Sequence, residues 1–166
     1  MVRFRFNALA VGILMLASLP VHAHHTPEHS AAMGDPVAPV AATDLAVSEC
    51  WVRLMPAQVP SAAYFKINNK SASAAQLRQV ATDAYGSVMM HATTQTGGMS
   101  RMSMARDVTI PARGALAFEP GGYHVMLSKP ARKIEIGDTL DMTLLFAGNV
   151  RVNVPCRLRE PSALAP

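Results

Sequence analysis

From Leu45 onward the chain is written in short alternating runs closed by turn residues: SECWVRL, AAYFKIN, QLRQVAT, DVTI, ALAF, YHVMLSK, TLDMTLLF and VRVNV. Alternation with period two and lengths of this kind specify antiparallel strands, and segments with helical spacing are hard to find. Asn68-Asn69-Lys70-Ser71, Pro120-Gly121-Gly122 and Ala147-Gly148-Asn149 supply the turns. Many short strands at such spacing lead to an all-β domain of Greek-key sandwich type. Trp51, the single Trp of the chain, is expected to plug its core, and no function is assigned to it.

The N-terminal part reads differently. Arg3 and Arg5 precede a thirteen-residue, mostly apolar run from Ala8 to Pro20, followed by Val21-His22-Ala23. This is the pattern of a secretory signal peptide over residues 1–23, cut after Ala23. The run is too short to span a bilayer, so no transmembrane anchor is expected after cleavage and the domain is expected in the periplasm. Residues 24–44, rich in Ala, Pro and His, are expected to form a flexible leader, residues 45–157 the folded domain and residues 158–166 a flexible tail. Of the formal charge of +4, Arg3 and Arg5 leave with the signal, and the mature chain is near +2. Its Lys and Arg are scattered, which excludes a nucleic-acid footprint. A monomer is expected.

Cys50 and Cys156 are the two cysteines, with no CxxC spacing. In an oxidising compartment a disulfide tying the first strand to the last is the preferred reading, and two separate buried thiols are the alternative.

Six of the eleven methionines, Met89, Met90, Met99, Met102, Met104 and Met126, crowd into a 38-residue window that also holds His91 and His124, the two histidines of the domain. Any one methionine is an ordinary filler of core gaps. Alternation within YHVMLSK, however, sets His124 and Met126 on one strand face and Tyr123, Val125 and Leu127 on the other. His91, Met102, His124 and Met126 then form a set of soft or borderline donors, and Asp107 and Glu119 are the only carboxylates in the window. Calcium, magnesium and catalytic zinc want harder or more complete donor sets, and blue copper wants a nearby thiolate. Cu(I) is the ion such a set selects. His24, His25 and His29 in the leader form a second candidate group whose nitrogens, with the α-amine freed by cleavage, suit Cu(II). No nucleophile elbow, paired carboxylates or Cys/His dyad argues for an enzyme.

Residues 47–154 resemble the PCuAC family of periplasmic copper(I) chaperones. That family's motif is His, ten residues, Met, twenty-one residues, then His-x-Met; ten residues lie between His91 and Met102, twenty-one between Met102 and His124, and His124-Val125-Met126 completes it. SECWVRLMPAQVPSAAYFKINN and PARGALAFEPGGYHVML are similar to its opening strands and to its most characteristic stretch. One departure is Ser100-Arg101-Met102, where the family often has Met-Lys-Met or Met-Arg-Met. The resemblance implies a cupredoxin-like β-sandwich that carries Cu(I) on His91, Met102, His124 and Met126 to an apo copper protein, the CuA domain of cytochrome oxidase. The alternative is a copper-sequestering protein without a dedicated recipient, to which the leader would add capacity.

Overall fold

The computed structural model describes residues 40–165; the segment expected as a signal peptide and the leader positions His24, His25 and His29 lie outside them. Ten strands follow one another: β1 (Leu45–Arg53), β2 (Ser61–Asn69), β3 (Ala75–Ala81), β4 (Tyr85–Thr96), β5 (Met99–Met104), β6 (Val108–Ile110), β7 (Ala115–Phe118), β8 (Tyr123–Pro130), β9 (Thr139–Phe146) and β10 (Arg151–Arg159). Single 3-10 turns at Ala42–Asp44 and Ala147–Asn149 are the only helical elements among the described residues. Each of the eight runs named above is a strand, and β4 and β5 are two more that the runs did not include.

The strands form one hydrogen-bonded ladder in the order β5-β4-β8-β7-β2-β1-β10-β9-β3-β6, with β2 also pairing β8. The ladder bends over on itself, because β3 near one end packs on β4 near the other and β6 packs on β2. One core results, an all-β sandwich of the cupredoxin-like Greek-key kind. Val52, Phe65, Ile67, Leu77, Ile110, Phe118, Val125, Leu127, Met142, Leu144 and Leu158 fill it, with the Phe65 and Phe118 rings stacked at 4.5 Å between centroids. Burying side chains of this size contributes about 1.5–3 kcal/mol each.

Two local insertions decide which residues face that core. In β1 the register with β2 slips between Ser48 and Trp51, where Glu49 takes a φ of 52°. An extra residue in one strand of a pair reverses the alternation that follows. Leu45 points inward before the bulge, whereas Val52 points inward after it and Trp51 and Arg53 point out. Glu49 itself reaches Lys66 on β2 through an ion pair of 2.8 Å. The second insertion separates β7 from β8. Both run antiparallel to β2, β7 through Phe65↔Phe118 and β8 through Ala63↔Val125, as one interrupted strand. Between them residues 119–122 loop out around a turn in which Gly122 N–H donates to Glu119 O, with Gly121 at a φ of 85° that few side chains tolerate. From Phe118 to Val125 the chain advances seven residues while β2 advances two, an odd excess of five, so even-numbered Phe118 faces the core but odd-numbered Val125 and Leu127 do so afterwards. His124 and Met126 are thereby turned outward.

Some expectations need correction. Trp51 is buried but is no core plug: it lies on the outer face against Tyr64, ring centroids 4.6 Å apart, beneath the Arg53 guanidinium. The bulge at Glu49 put it there. Val40, inside the stretch expected as leader, is buried against the core, so the packed region begins before residue 45. At the other end β10 runs to Arg159 because Leu158 is a core residue, and Ala163 O and Ala165 O accept hydrogen bonds from Arg53 and Arg159. Cys50 and Cys156 are disulfide-bonded across the parallel β1–β10 pair, with Cα atoms 4.5 Å apart.

Candidate metal centre

Three neighbouring strands carry the candidate donors. Residues 97–98 turn β4 back into β5 with both glycines at positive φ, and the resulting hairpin pairs His91 with Met104 and Thr93 with Met102. On its other side β4 pairs with β8, placing His91 directly across from His124 and Met89 from Met126. Partners directly opposite in an antiparallel pair share a face, with Cβ atoms roughly 4.5–5.5 Å apart. Met89, His91, Thr93, Met102, Met104, His124 and Met126 therefore all stand on one outer face, while Met90 and Val125 point the other way into the core.

The four residues expected from the sequence all stand on this face, but His91 is not among those that line its cleft. The His91 and His124 rings lie nearly parallel at 5.9 Å between centroids. Met102, His124 and Met126 line a cleft of about 220 Å³ whose remaining wall includes Arg53, Ala62, Tyr64, Thr93, Pro120 and Gly121. Ala62 sits between Arg53 and Met126 in the cross-strand row, and its small side chain leaves the floor of the cleft open. The looped-out Pro120 and Gly121 form its rim.

The imidazoles are prepared differently. His124 Nδ1 lies 3.1 Å from Gly122 O, a carbonyl that can only accept, so the ring carries its proton on Nδ1 and leaves the Nε2 lone pair available. His91 Nδ1 is buried without a hydrogen-bond partner. Burial pushes the His91 pKa below its ordinary 6.5, the neighbouring His124 pushes the same way, and the Met89 backbone opposes them. The neutral imidazole is the form that binds metal, so this environment favours it. The phenol of Tyr64 is raised by burial and partly offset by the Arg53 charge.

A proton titration of the metal-free protein should show this directly. His91 should titrate below the ordinary value of 6.5, which imidazole ¹⁵N shifts followed against pH would detect. Its linkage to folding runs in one direction. A histidine that resists protonation when folded takes up protons preferentially when unfolded, so its contribution to stability is intact above pH 6.5 and declines as pH falls below it.

Among the described residues no three His, Cys, Asp or Glu side chains gather closely enough to hold a metal ion. An ion on this face would have to draw on methionine sulfur. Met102 is 52% exposed, as is Met104, and Met89 is 37% exposed, whereas a methionine kept for packing hides its thioether. Met89 and Met104 were in the methionine window but not in the expected donor set. The hairpin register brings in Met104 and the β4–β8 register brings in Met89, and of the two the sequence signals only the hairpin, through Gly97-Gly98.

Comparison with known proteins adds independent findings. The LpqE-like lipoprotein family model matches residues 45–156. A lipoprotein of Leifsonia xyli subsp. xyli is 29% identical over 102 residues, 61% of this chain and 61% of its own length. An uncharacterized protein of Rickettsia prowazekii is 30% identical over 97 residues, 57% of this chain and 54% of the other. The chain thus spans less than two thirds of the length of these curated relatives. Among solved structures, CuI-DR1885 from Deinococcus radiodurans superposes with a TM-score of 0.56 at 33% identity, covering 76% of this chain and 83% of that one. The copper-bound PCuAC domain from PmoF2 superposes at 0.60 with 19% identity, covering 71% and 94%, a likeness of fold alone.

Proposed function

Because this chain belongs to the LpqE-like family and has the fold of PCuAC domains, we propose that it is a periplasmic copper(I) carrier. It holds Cu(I) through His91, Met102, His124 and Met126 and hands it by ligand exchange to an apo copper protein, for which the CuA centre of cytochrome oxidase is the first candidate. The observation that carries this reading is the outward face of β4, β5 and β8, where two imidazoles and exposed thioethers converge without a carboxylate or free thiolate.

The chemistry suits transport. Thioethers are uncharged and polarizable, favour Cu(I) over harder ions, and need no deprotonation. A free thiol in an oxidising compartment is lost to disulfide, and here both cysteines are already bonded. Weak thioether donors on an exposed surface also let an incoming ligand replace them one at a time. Copper is cargo in this scheme, and no residue of the site performs a bond-making step on a substrate.

The test is a competition and a transfer. The mature protein should bind one Cu(I) at the folded domain and take up Zn(II) there far more weakly, measured with chromophoric chelators under reducing conditions. Mixed with an apo CuA domain, the loaded protein should lose its copper to that domain. Equal affinity for Zn(II) and Cu(I) would overturn the donor assignment, and retention of copper in the presence of the acceptor would overturn delivery.

A further inference from the structure

We propose that Met89 and Met104, with His91, form a second and weaker soft-metal position beside the first, through which an ion passes from the cleft to the open edge of the sheet. The proposal rests on the copper-carrier reading above and adds a direction to it.

Two side chains outside the four-donor set stand one strand spacing from its members. Met104 on β5 is directly opposite His91, and Met89 on β4 is directly opposite Met126. In a cross-strand row the order is Met104, His91, His124, and in the next row Met89, Met126. An ion held by His91, Met102, His124 and Met126 can therefore release Met102 and exchange Met126 for Met89 and His124 for Met104 while His91 stays bound. Each exchange is between directly opposite neighbours or across a single row, so the ion need never be released to solvent. The shared imidazole makes the two positions alternatives for one ion. His91 fits this pivot because it stands between Met104 and His124 in one cross-strand row and so flanks both groups.

The two positions differ in their surroundings. The first opens into a cleft walled by Arg53, Tyr64, Pro120 and Gly121. The second lies toward β5, the terminal strand of the ladder, all of whose residues are exposed. A terminal strand is where another protein's donors can approach closely. Met104 has a further feature: Arg106 Nε donates a hydrogen bond of 3.4 Å to its sulfur. That guanidinium occupies a lone pair and sets a positive charge where a cation would sit, which keeps the second position weak and suits it to passing an ion on. Packing does not explain these methionines, since Met89 and Met104 are exposed and neither belongs to the core.

Ag(I), which prefers the same donors and has no redox chemistry under these conditions, is the probe, read by ¹³C-methyl signals of the methionines. The Met102→Leu/Met126→Leu protein should still bind one Ag(I), at least about tenfold more weakly than the unaltered protein, with the Met89 and Met104 methyls now shifting. Adding Arg106→Gln should tighten that residual binding. Adding Met89→Leu and Met104→Leu instead should remove it, with far-UV circular dichroism unchanged. The proposal is overturned if the Met89 and Met104 methyls stay still in the first variant, or if the fourfold Leu variant binds as well as the double one. The two readings separate cleanly: no Ag(I) uptake by the unaltered protein sinks both, whereas uptake that shifts Met102 and Met126 but never Met89 or Met104 sinks only the second position.

Discussion

Replacing Met102 or His124 by Ala should cost most of the Cu(I) affinity and almost none of the stability, while replacing Met90 should do the reverse. Removing just an outer hydrogen-bond partner of a metal ligand typically costs 10–100-fold in affinity, so losing a donor itself should cost at least about 100-fold. The stability side follows from burial. Met102 is 52% exposed, and surface substitutions usually stay within about 0.5 kcal/mol. His124→Ala also removes the hydrogen bond to Gly122 O, worth roughly 1 kcal/mol. Met90 sits one residue before His91 with its side chain in the core, 6% exposed, and truncating a buried methionine costs about 2–5 kcal/mol. Chelator competition and chemical denaturation on the three variants would check this. A Met102 variant that unfolds and keeps its copper would make the methionine cluster a packing device.

Eight strands were legible because each has one face on the core and one toward solvent, the condition under which alternation is visible. β5 has no such face. All its residues, MSRMSM, are exposed, so nothing in burial imposes a pattern on it. β4 fails for a related reason: Met89 and Met90 are adjacent and apolar, yet they point to opposite sides, and a paired Met-Met hides the alternation. The hairpin missed as strands is thus the one that carries His91 and Met102. The four candidate donors were still nameable because donor chemistry and spacing are written in residue types, and the outward set of His124 and Met126 follows from alternation within β8 alone.

Parity between strands is another matter. The bulge at Glu49 and the detour through residues 119–122 each reverse which residues face inward, and neither leaves a signal that composition could distinguish from an ordinary turn. Trp51 was misplaced on this account. Its true position has a functional bearing, since Trp51 and Tyr64 seat the Arg53 guanidinium, with ring centroids 5.7 and 5.4 Å from it, at the wall of the cleft. The same detour that turns His124 outward also raises Pro120 and Gly121 as a rim, so one insertion in the chain makes both the donor face and its shelter.

Reducing the Cys50–Cys156 bond should lower the thermal midpoint sharply and leave copper in place. The bond closes a loop with a sequence separation of 106 residues, and chain-entropy arithmetic gives about 4.7 kcal/mol for a loop of roughly that size. For a domain a little over a hundred residues long this corresponds to a drop on the order of 15 °C. The copper side follows from geometry. Cys156 is fully buried and Cys50 packs against the same core, on the side of the sheet away from the imidazoles and thioethers, and neither sulfur is free to bind metal. β1 and β10 also remain paired by their own ladder from Trp51↔Arg157 to Arg53↔Arg159, so the fold keeps its centre when the bond opens. A Cys50→Ala/Cys156→Ala protein compared with the oxidised form by calorimetry, and by Cu(I) competition at a temperature where both are folded, measures the two effects separately. An unchanged midpoint would mean that the unfolded chain is already compact enough for the closure to matter little. Loss of copper affinity in the folded variant would mean instead that the bulge at Glu49, next to Cys50, sets the position of Arg53 and through it the shape of the cleft.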